Sequence, residues 1–465
     1  MPETAKRWLR RQRTRTAPEP RRQQVPSAHS SQAGTGPADE EAQVIVVGAG
    51  PAGSAAAFHL ARAGVDVVLL EKGTFPRDKV CGDGLTPQGV HQLVRMGIDI
   101  DAPGWTRTRG MRWVCEGRQV HIDWPRLGAR PDFGLTRSRH DFDEILAGHA
   151  REAGARLHTH VKATEPVTDR AGRITGLRAL AGADKQPKLY RAPVVIAADG
   201  ASARTALAMG LQRDPSRQVA TAARRYYRSA TRTDDPYLEL WADLLCSRTQ
   251  RDLPGYGWIF PLGDGRVNVG LGALARRQHG SVDLRATMEQ WLARLPQEWG
   301  LREENADSPW RSAALPMGFN RRPQYSRGML LVGDSAGMVS PWSGEGIGQA
   351  MEAGEAAADI VALAMLRPTG PAREEALRQY PREIQRRWGT YYRIGNSVAD
   401  LVLRRYGYRP LLNRRLMASP VLVRFLARTL TYAADETAHD AVDTVLRTLL
   451  RLVPAPDLSH GTRKP

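Results

Sequence analysis

The segment from Val44 to Glu71 constrains the fold of this chain more than any other. Val44-Ile45-Val46-Val47 is a β-branched run that reads as a buried strand, and it ends in Gly48-Ala49-Gly50-Pro51-Ala52-Gly53. Ser54 to Ala63 has helical composition until Gly64 stops it, and Val65 to Leu70 supplies a second apolar strand with Glu71 at its end. In such a unit Gly48 permits the tight turn, Gly50 lets the backbone approach a pyrophosphate, and Gly53 lets the helix pack closely on the strand. The phosphates are expected on the N-terminal dipole of this helix, with Pro51 and Ala52 among the cofactor contacts. A carboxylate about twenty residues after the glycines, here Glu71 followed by Lys72, accepts ribose hydroxyls. The unit predicts a Rossmann-like dinucleotide site of a kind that serves FAD and NAD alike.

A chain of 465 residues is past the size at which one core stops growing, so two or three units sharing a large interior are expected. The net charge of +18 exceeds that of an ordinary globular protein, although the apolar fraction of 42% does not. Residues 1–42 carry Arg10, Arg11, Arg13, Arg15, Arg21 and Arg22 among Pro, Ser, Gln and Gly, and read as a disordered basic leader. Adjacent Arg10 and Arg11 raise the question of an export signal, but no apolar stretch follows before Glu40 and Glu41. The most apolar run, Val44 to Phe58, is too short and too glycine-broken to span a bilayer. Cys81, Cys115 and Cys246 lie far apart, which argues against a disulfide framework and against a zinc site. No metal is expected, and a reducing, cytoplasmic compartment fits. No nucleic-acid-binding motif accompanies the charge, so no nucleic-acid partner is expected.

Three later segments distinguish FAD from NAD. Val194 to Ala198 reads as a strand running into Asp199-Gly200-Ala201-Ser202-Ala203-Arg204, and Met329 to Val332 as another running into Gly333-Asp334-Ser335-Ala336-Gly337. These resemble the Asp-Gly and Gly-Asp motifs of the aromatic hydroxylase group of flavoproteins. The resemblance implies FAD as cofactor, with Asp334 on the ribityl chain. It also implies that Pro341-Trp342-Ser343-Gly344-Glu345-Gly346-Ile347 opens a helix whose first amides, at Gly346 and Ile347, face the isoalloxazine. Arg139, in an Arg-x-x-Phe-Asp pattern before the helical Ile145 to Ala153, matches a flavin-contacting arginine of that group; the lesser alternative is a solvated charge at a helix start. Lys72 and Val161 complete the expected cofactor set. No second strand-linked glycine triplet is visible, so electrons are expected from transiently docked NAD(P)H or from a protein donor.

Two further segments resemble the geranylgeranyl reductase family, and its actinobacterial menaquinone reductase branch in particular. They are Phe75-Pro76-Arg77-Asp78-Lys79-Val80-Cys81-Gly82-Asp83-Gly84-Leu85-Thr86-Pro87 and Pro254-Gly255-Tyr256-Gly257-Trp258-Ile259-Phe260-Pro261-Leu262, the latter followed by Val267-Asn268-Val269-Gly270-Leu271-Gly272. The resemblance implies saturation of a carbon-carbon double bond in an isoprenoid chain, with a hydrophobic prenyl lipid as substrate. Lys79 to Gly84 is a glycine-rich loop able to lie against a flavin edge, with Lys79 and Gly82 among the cofactor contacts. A thiol at Cys81 could protonate an alkene carbon, or it could simply shape the cavity as a small hydrophobe. Tyr256 to Leu271 reads as two strands joined at Gly263-Asp264-Gly265, with Tyr256, Trp258 and Phe260 on one face. Tyr256 and Trp258 are then candidates for the reacting end of the pocket, or core aromatics of that sheet. Trp113 and Trp124 are weaker candidates for its lining.

From Ala372 to Val453 the pattern is helical, and Trp388, Tyr391, Tyr392 and Ile394 give way to Leu401-Val402-Leu403-Arg404-Arg405 and Leu411-Leu412-Asn413-Arg414-Arg415-Leu416-Met417. Such a stretch suits peripheral contact with the inner face of an anionic membrane, and serves equally as the solvated face of a helical cap. The expected architecture is α/β, α+β over the whole chain. A Rossmann-like FAD-binding domain with a discontinuous path takes residues 43–105, 132–215 and 318–366, and a β-sheet substrate domain takes 106–131 and 216–317. A helical C-terminal extension takes 367–453, before a tail at 454–465. The alternative activity is an FAD-dependent monooxygenase of the same fold. A flavin halogenase is disfavoured, because Trp258-Ile259-Phe260-Pro261 lacks the first half of a Trp-x-Trp-x-Ile-Pro signature. A non-catalytic flavoprotein or lipid carrier is disfavoured by the intact acids Glu71, Asp199 and Asp334.

Overall fold

The computed structural model describes residues 39–403 except 127–129, 216 and 276–281, together with positions 406, 407, 409, 419 and 423. The arginine-rich leader up to residue 38 and the Leu411–Met417 cluster lie outside the described residues.

Three strands that read as uninterrupted apolar runs, Val44–Val47, Val67–Leu70 and Val194–Ala197, are buried at every position, as strands covered on both faces must be. They form the middle of a six-stranded sheet, parallel but for one edge. The order runs from Tyr325–Ser326 through Met329–Leu331, Val194–Ala197, Val44–Val47 and Val67–Leu70 to Arg156–His158. These six strands come from four stretches of chain separated by long insertions, so the path through this layer is discontinuous. The helix after the first strand begins at Pro51, ahead of the expected Ser54, because proline at the first helical position needs no amide partner. It packs against the long helix Ile347–Met365 through small residues: a Cβ added to Gly354 would stand 2.3 Å from the carbonyl oxygen of Ala52.

A second, seven-stranded sheet is built around the hairpin Gly255–Pro261 and Arg266–Leu274. Its cross-strand pairs Tyr256 with Gly272, Trp258 with Gly270 and Phe260 with Asn268 set each aromatic of one face opposite a small or polar residue. The rings occupy the space those residues leave: a Cβ on Gly270 would lie 2.2 Å from the Trp258 ring. A three-stranded sheet pairs Gly84–Leu85 and Thr106–Thr108 with Gly134–Thr136, so the Lys79–Gly84 loop runs directly into a strand.

Two departures from the expected boundaries have electrostatic or packing causes. Glu40–Glu41, expected in the leader, form a strand parallel to Tyr190 and Arg191, and the Glu40 carboxylate pairs with Arg156 at 2.8 Å and Lys188 at 3.1 Å. The helix expected from Ile145 begins at Arg139, because the Ser138 hydroxyl caps it by accepting the His140 amide. In the helical C-terminal region the aromatics are anchors: Trp388 is 0% and Tyr392 1% exposed, and the hydroxyls of Tyr380 and Tyr392 donate to the carbonyls of Leu331 and Met338. Of the apolar residues near the start of the basic stretch, Leu401 is exposed and Leu403 buried. No helix among the described residues is long and apolar enough to cross a membrane.

Candidate functional site

Between the glycine turn and the aromatic hairpin lies a cavity of about 500 Å³. Gly48, Gly50, Pro51, Ala52, Glu71, Lys72, Arg139, Val161, Asp199, Gly200, Asp334, Gly346 and Ile347 line it, and so do Lys79, Cys81, Gly82, Tyr256 and Trp258. Gly53 and Gly333 stand immediately behind its wall. A Cβ on Gly53 would fall 1.8 Å from the Gly48 carbonyl oxygen, and one on Gly333 would fall 2.9 Å from the Ala52 side chain. Trp113 and Trp124 also reach the cavity.

At the nucleotide end, Gly48 has φ +99, and any side chain there would meet the Ala198 carbonyl at 2.5 Å. Gly50 is the opposite case, since a Cβ there would meet nothing within 4 Å. The helix that follows has no side-chain cap, so its first amides remain available to an anion. Glu71 is held by the Ala49 amide at 3.1 Å, the Gly73 amide at 2.9 Å and Arg77 at 3.2 Å. Asp199 accepts from the Thr205 amide and hydroxyl, and its other oxygen accepts from the Ser335 hydroxyl at 2.8 Å. That bond ties together two motifs more than a hundred residues apart in sequence. Asp334 faces Lys79 across 3.7 Å. An open glycine face, an uncapped helix end and an acid after the second strand fit a dinucleotide such as FAD.

At the other end, the Lys79–Gly84 loop is pinned by groups that sequence reasoning had left without a role. Asp83 is wholly buried with φ 66, a left-handed conformation that an aspartate adopts at a cost. Its carboxylate accepts from the Tyr226 hydroxyl at 2.6 Å, the Asn268 amide at 2.7 Å and the Arg139 backbone amide at 3.2 Å. Asn268 also donates to the Cys81 carbonyl at 2.7 Å, while its oxygen accepts the Trp258 indole N–H at 2.9 Å. Burial pushes the Asp83 carboxyl up to about 6, against the opposing pull of the Tyr226 and Asn268 hydrogen bonds. The signal for Asn268 was present in the sequence as a polar residue in an otherwise apolar strand. Nothing local identified Tyr226 as the partner of Asp83.

Arg139 is 5% exposed and makes two bonds to Asp143, at 2.6 and 2.9 Å, so it is a buried ion-pair member and not a solvated helix-start charge. Burial works against its charge, and Asp143 with Cys81 beside it more than restores it, raising the guanidinium above its ordinary value. The Cys81 sulfur accepts the Asp83 amide at 3.4 Å. The Tyr256 hydroxyl donates to the Ser343 carbonyl, and burial drives its phenol upward, with Glu345 and Cys81 adding to the effect. Glu345, quoted within a motif but given no role, lines the same cavity. Cys115 and Cys246 are buried and not disulfide-bonded, and no group of three or more metal-ligating side chains occurs among the described residues.

Comparison with known proteins agrees with this geometry. The family described as FAD binding domain matches residues 41–390. A menaquinone reductase of Mycobacterium tuberculosis is 35% identical over 412 residues, 88% of this chain and 95% of that protein. A digeranylgeranylglycerophospholipid reductase of Methanopyrus kandleri is 30% identical over 374 residues, 78% of this chain and 91% of that protein. The crystal structure of a geranylgeranyl bacteriochlorophyll reductase-like protein from Thermoplasma acidophilum superposes with a TM-score of 0.72 at 23% identity, covering 88% of this chain and 99% of that one, a likeness of fold. With the glycine turn, the two aspartate motifs and the Cys81 loop around one cavity, the chain belongs to the FAD-binding flavoprotein oxidoreductases, in the geranylgeranyl reductase family that includes the menaquinone reductases.

Proposed function

We propose that this protein saturates a carbon-carbon double bond in the isoprenoid chain of a menaquinone or another prenyl lipid. One observation carries the reading: the cavity that holds the nucleotide turn continues onto an apolar wall of Met111, Trp113, Leu238, Leu240, Leu315 and Met317. A flavin edge and a long hydrocarbon would therefore share one enclosure. The names of the menaquinone and digeranylgeranylglycerophospholipid reductases describe lipid substrates of the same chemical class.

FAD would be held by the Gly48–Gly53 turn, Glu71, Arg139, Asp199, Asp334 and the start of the Ile347–Met365 helix. Bound and reduced, it supplies a hydride equivalent. The chain's own residues do the rest. Lys79 and Asp334 place opposite charges 3.7 Å apart on the cavity wall. Gly82 and Gly84 let the loop lie against Phe260, since a Cβ at either would come within 3.0 to 3.2 Å of that ring. Trp258, fixed by Asn268, presents a flat apolar face that orients a prenyl chain and excludes water. Electrons would come from transiently docked NAD(P)H or a protein donor, and the lipid would enter while the protein contacts the inner face of the membrane peripherally.

The test is anaerobic incubation of the dithionite-reduced protein with menaquinone and with geranylgeranyl diphosphate, followed by mass spectrometry. A gain of two hydrogens per saturated bond is expected. No gain on any prenyl substrate, with oxygen incorporated in air instead, would establish the monooxygenase alternative.

A further inference from the structure

Saturating one double bond takes up a hydride and a proton, so the reading above, on which this inference rests, requires an acid on the cavity wall. We propose that the Glu345 carboxyl is that acid, and that Cys81 only shapes the space beside it. Glu345 lines the cavity together with Cys81 and Tyr256. It sits on the turn that opens the Ile347–Met365 helix, beside Ser343, whose carbonyl accepts the Tyr256 hydroxyl. A Cβ on the intervening Gly344 would lie 3.4 Å from the Tyr256 oxygen, so the aromatic wall and the carboxyl-bearing turn are in contact.

The carboxyl is held in place without being neutralised. One oxygen accepts from the Thr86 hydroxyl at 3.2 Å and the Gly348 amide at 3.3 Å, and the other accepts from the Gln349 amide at 2.8 Å. Three other acids of the wall pair with bases: Glu71 with Arg77, Asp78 with Arg224 and Arg311, and Asp334 with Lys79. Among the described residues the hydrogen-bond donors to Glu345 are uncharged, and the nearby charge of Glu352 is that of another acid. Burial, assisted by Glu352, raises the Glu345 carboxyl above the usual carboxylate range, which favours its protonated form. Tyr256 is the poorer acid, because its hydroxyl is already committed to Ser343 and its phenol is pushed upward.

The step balances. One alkene carbon gains a hydrogen and two electrons as hydride from the reduced flavin, and the π pair forms the second C–H bond with the Glu345 proton. The alkene is reduced by two electrons, the flavin is oxidised by two, and the carboxylate regains its proton from water. A two-electron donor of the nicotinamide class, or a protein donor, restores the flavin.

The test compares the wild type with Glu345→Gln and Glu345→Asp. Flavin affinity is read by absorbance, the protonated-carboxyl stretch by infrared difference spectroscopy at neutral pH, and proton uptake by deuterium incorporation from heavy water in a single turnover. Glu345→Gln is expected to bind FAD as wild type does, to lose a carboxyl band that the wild type shows, and to saturate the alkene about 100-fold more slowly. Glu345→Asp is expected to recover part of the rate. The inference is overturned if Glu345→Gln turns over at the wild-type rate, if the wild type shows no such band, or if Cys81→Ser alone abolishes deuterium uptake. Loss of FAD from both Glu345 variants would also overturn it, since the carboxylate would then be a cofactor ligand. A wild type that saturates no prenyl substrate while showing the carboxyl band overturns the functional reading itself.

Discussion

The side-chain amide of Asn268 donates to the Asp83 carboxylate at 2.7 Å, across 185 residues of sequence. The same nitrogen donates to the Cys81 carbonyl, and the amide oxygen accepts the Trp258 indole. One side chain thus sets the distance between the loop beside the proposed flavin and the aromatic wall of the proposed lipid pocket. Replacing it by alanine removes all three bonds and leaves the buried Trp258 N–H and one Asp83 acceptor position unpaired. Asn268→Ala is expected to lose about 3 kcal/mol of stability in denaturant titrations. Its tryptophan fluorescence should also change, because the Trp258 ring is released; an unchanged spectrum would contradict the arrangement.

Asp83 makes stability depend on pH. Its carboxyl rises from 3.8 in the unfolded chain to about 6 in the fold, so the native state keeps a proton that the unfolded state has already released. This contribution to stability is fully present below 3.8 and is lost as the pH rises through about 6. That displacement corresponds to about 3 kcal/mol. Asp83→Asn removes the titration, so the variant should gain on the wild type across this window. Denaturant midpoints at a series of pH values would show it, and a constant difference between the two proteins would refute it.

Gly50 and Gly53 separate cofactor binding from folding. A methyl group at Gly50 enters open cavity space, whereas one at Gly53 lands on the Gly48 carbonyl. Gly50→Ala should keep the wild-type melting temperature while its FAD affinity falls about tenfold or more, because the methyl occupies the approach of the pyrophosphate. Gly53→Ala should lose about 3 kcal/mol of stability whether or not FAD is added. Equal melting temperatures for both variants would count against this reading of the turn.

Arg139 and Asp143 make a buried, doubly bonded pair, and Asp143 also accepts Arg77 at 2.9 Å. Arg139→Leu leaves a fully buried carboxylate with one partner in place of two, which should cost about 3 kcal/mol. Asp143→Asn should cost more, because it strands the buried Arg139 guanidinium, for which Asp143 is the ion-pair partner among the described residues. Calorimetric unfolding of the two variants distinguishes them, and the reverse ranking would show that the guanidinium is held chiefly by other contacts.

Much of the nucleotide end is legible in the amino-acid sequence. The apolar run at Val44, the glycines, the helix and the acid at Glu71 are joined by short connections, so their geometry follows from local backbone rules. The Tyr256–Leu271 hairpin was legible for the same reason, since alternation and the glycine turn at Gly263 determine which ring lies on which face. Arg139 was ambiguous because a charge at a helix start is compatible with solvent or with burial, and only the packing around Asp143 decides between them.

The amino-acid sequence by itself determined the Rossmann-like unit, the identity of the cofactor and the family, because each of these depends on residues close together or on motifs with a preserved order. Tertiary structure alone decided the partners of Asp83 and Asn268, the link from Asp199 to Ser335, and the uncharged donors that hold Glu345. Each of those depends on desolvation and on hydrogen bonds between strands far apart in the chain, and burial acts on a side chain only once the chain around it has closed.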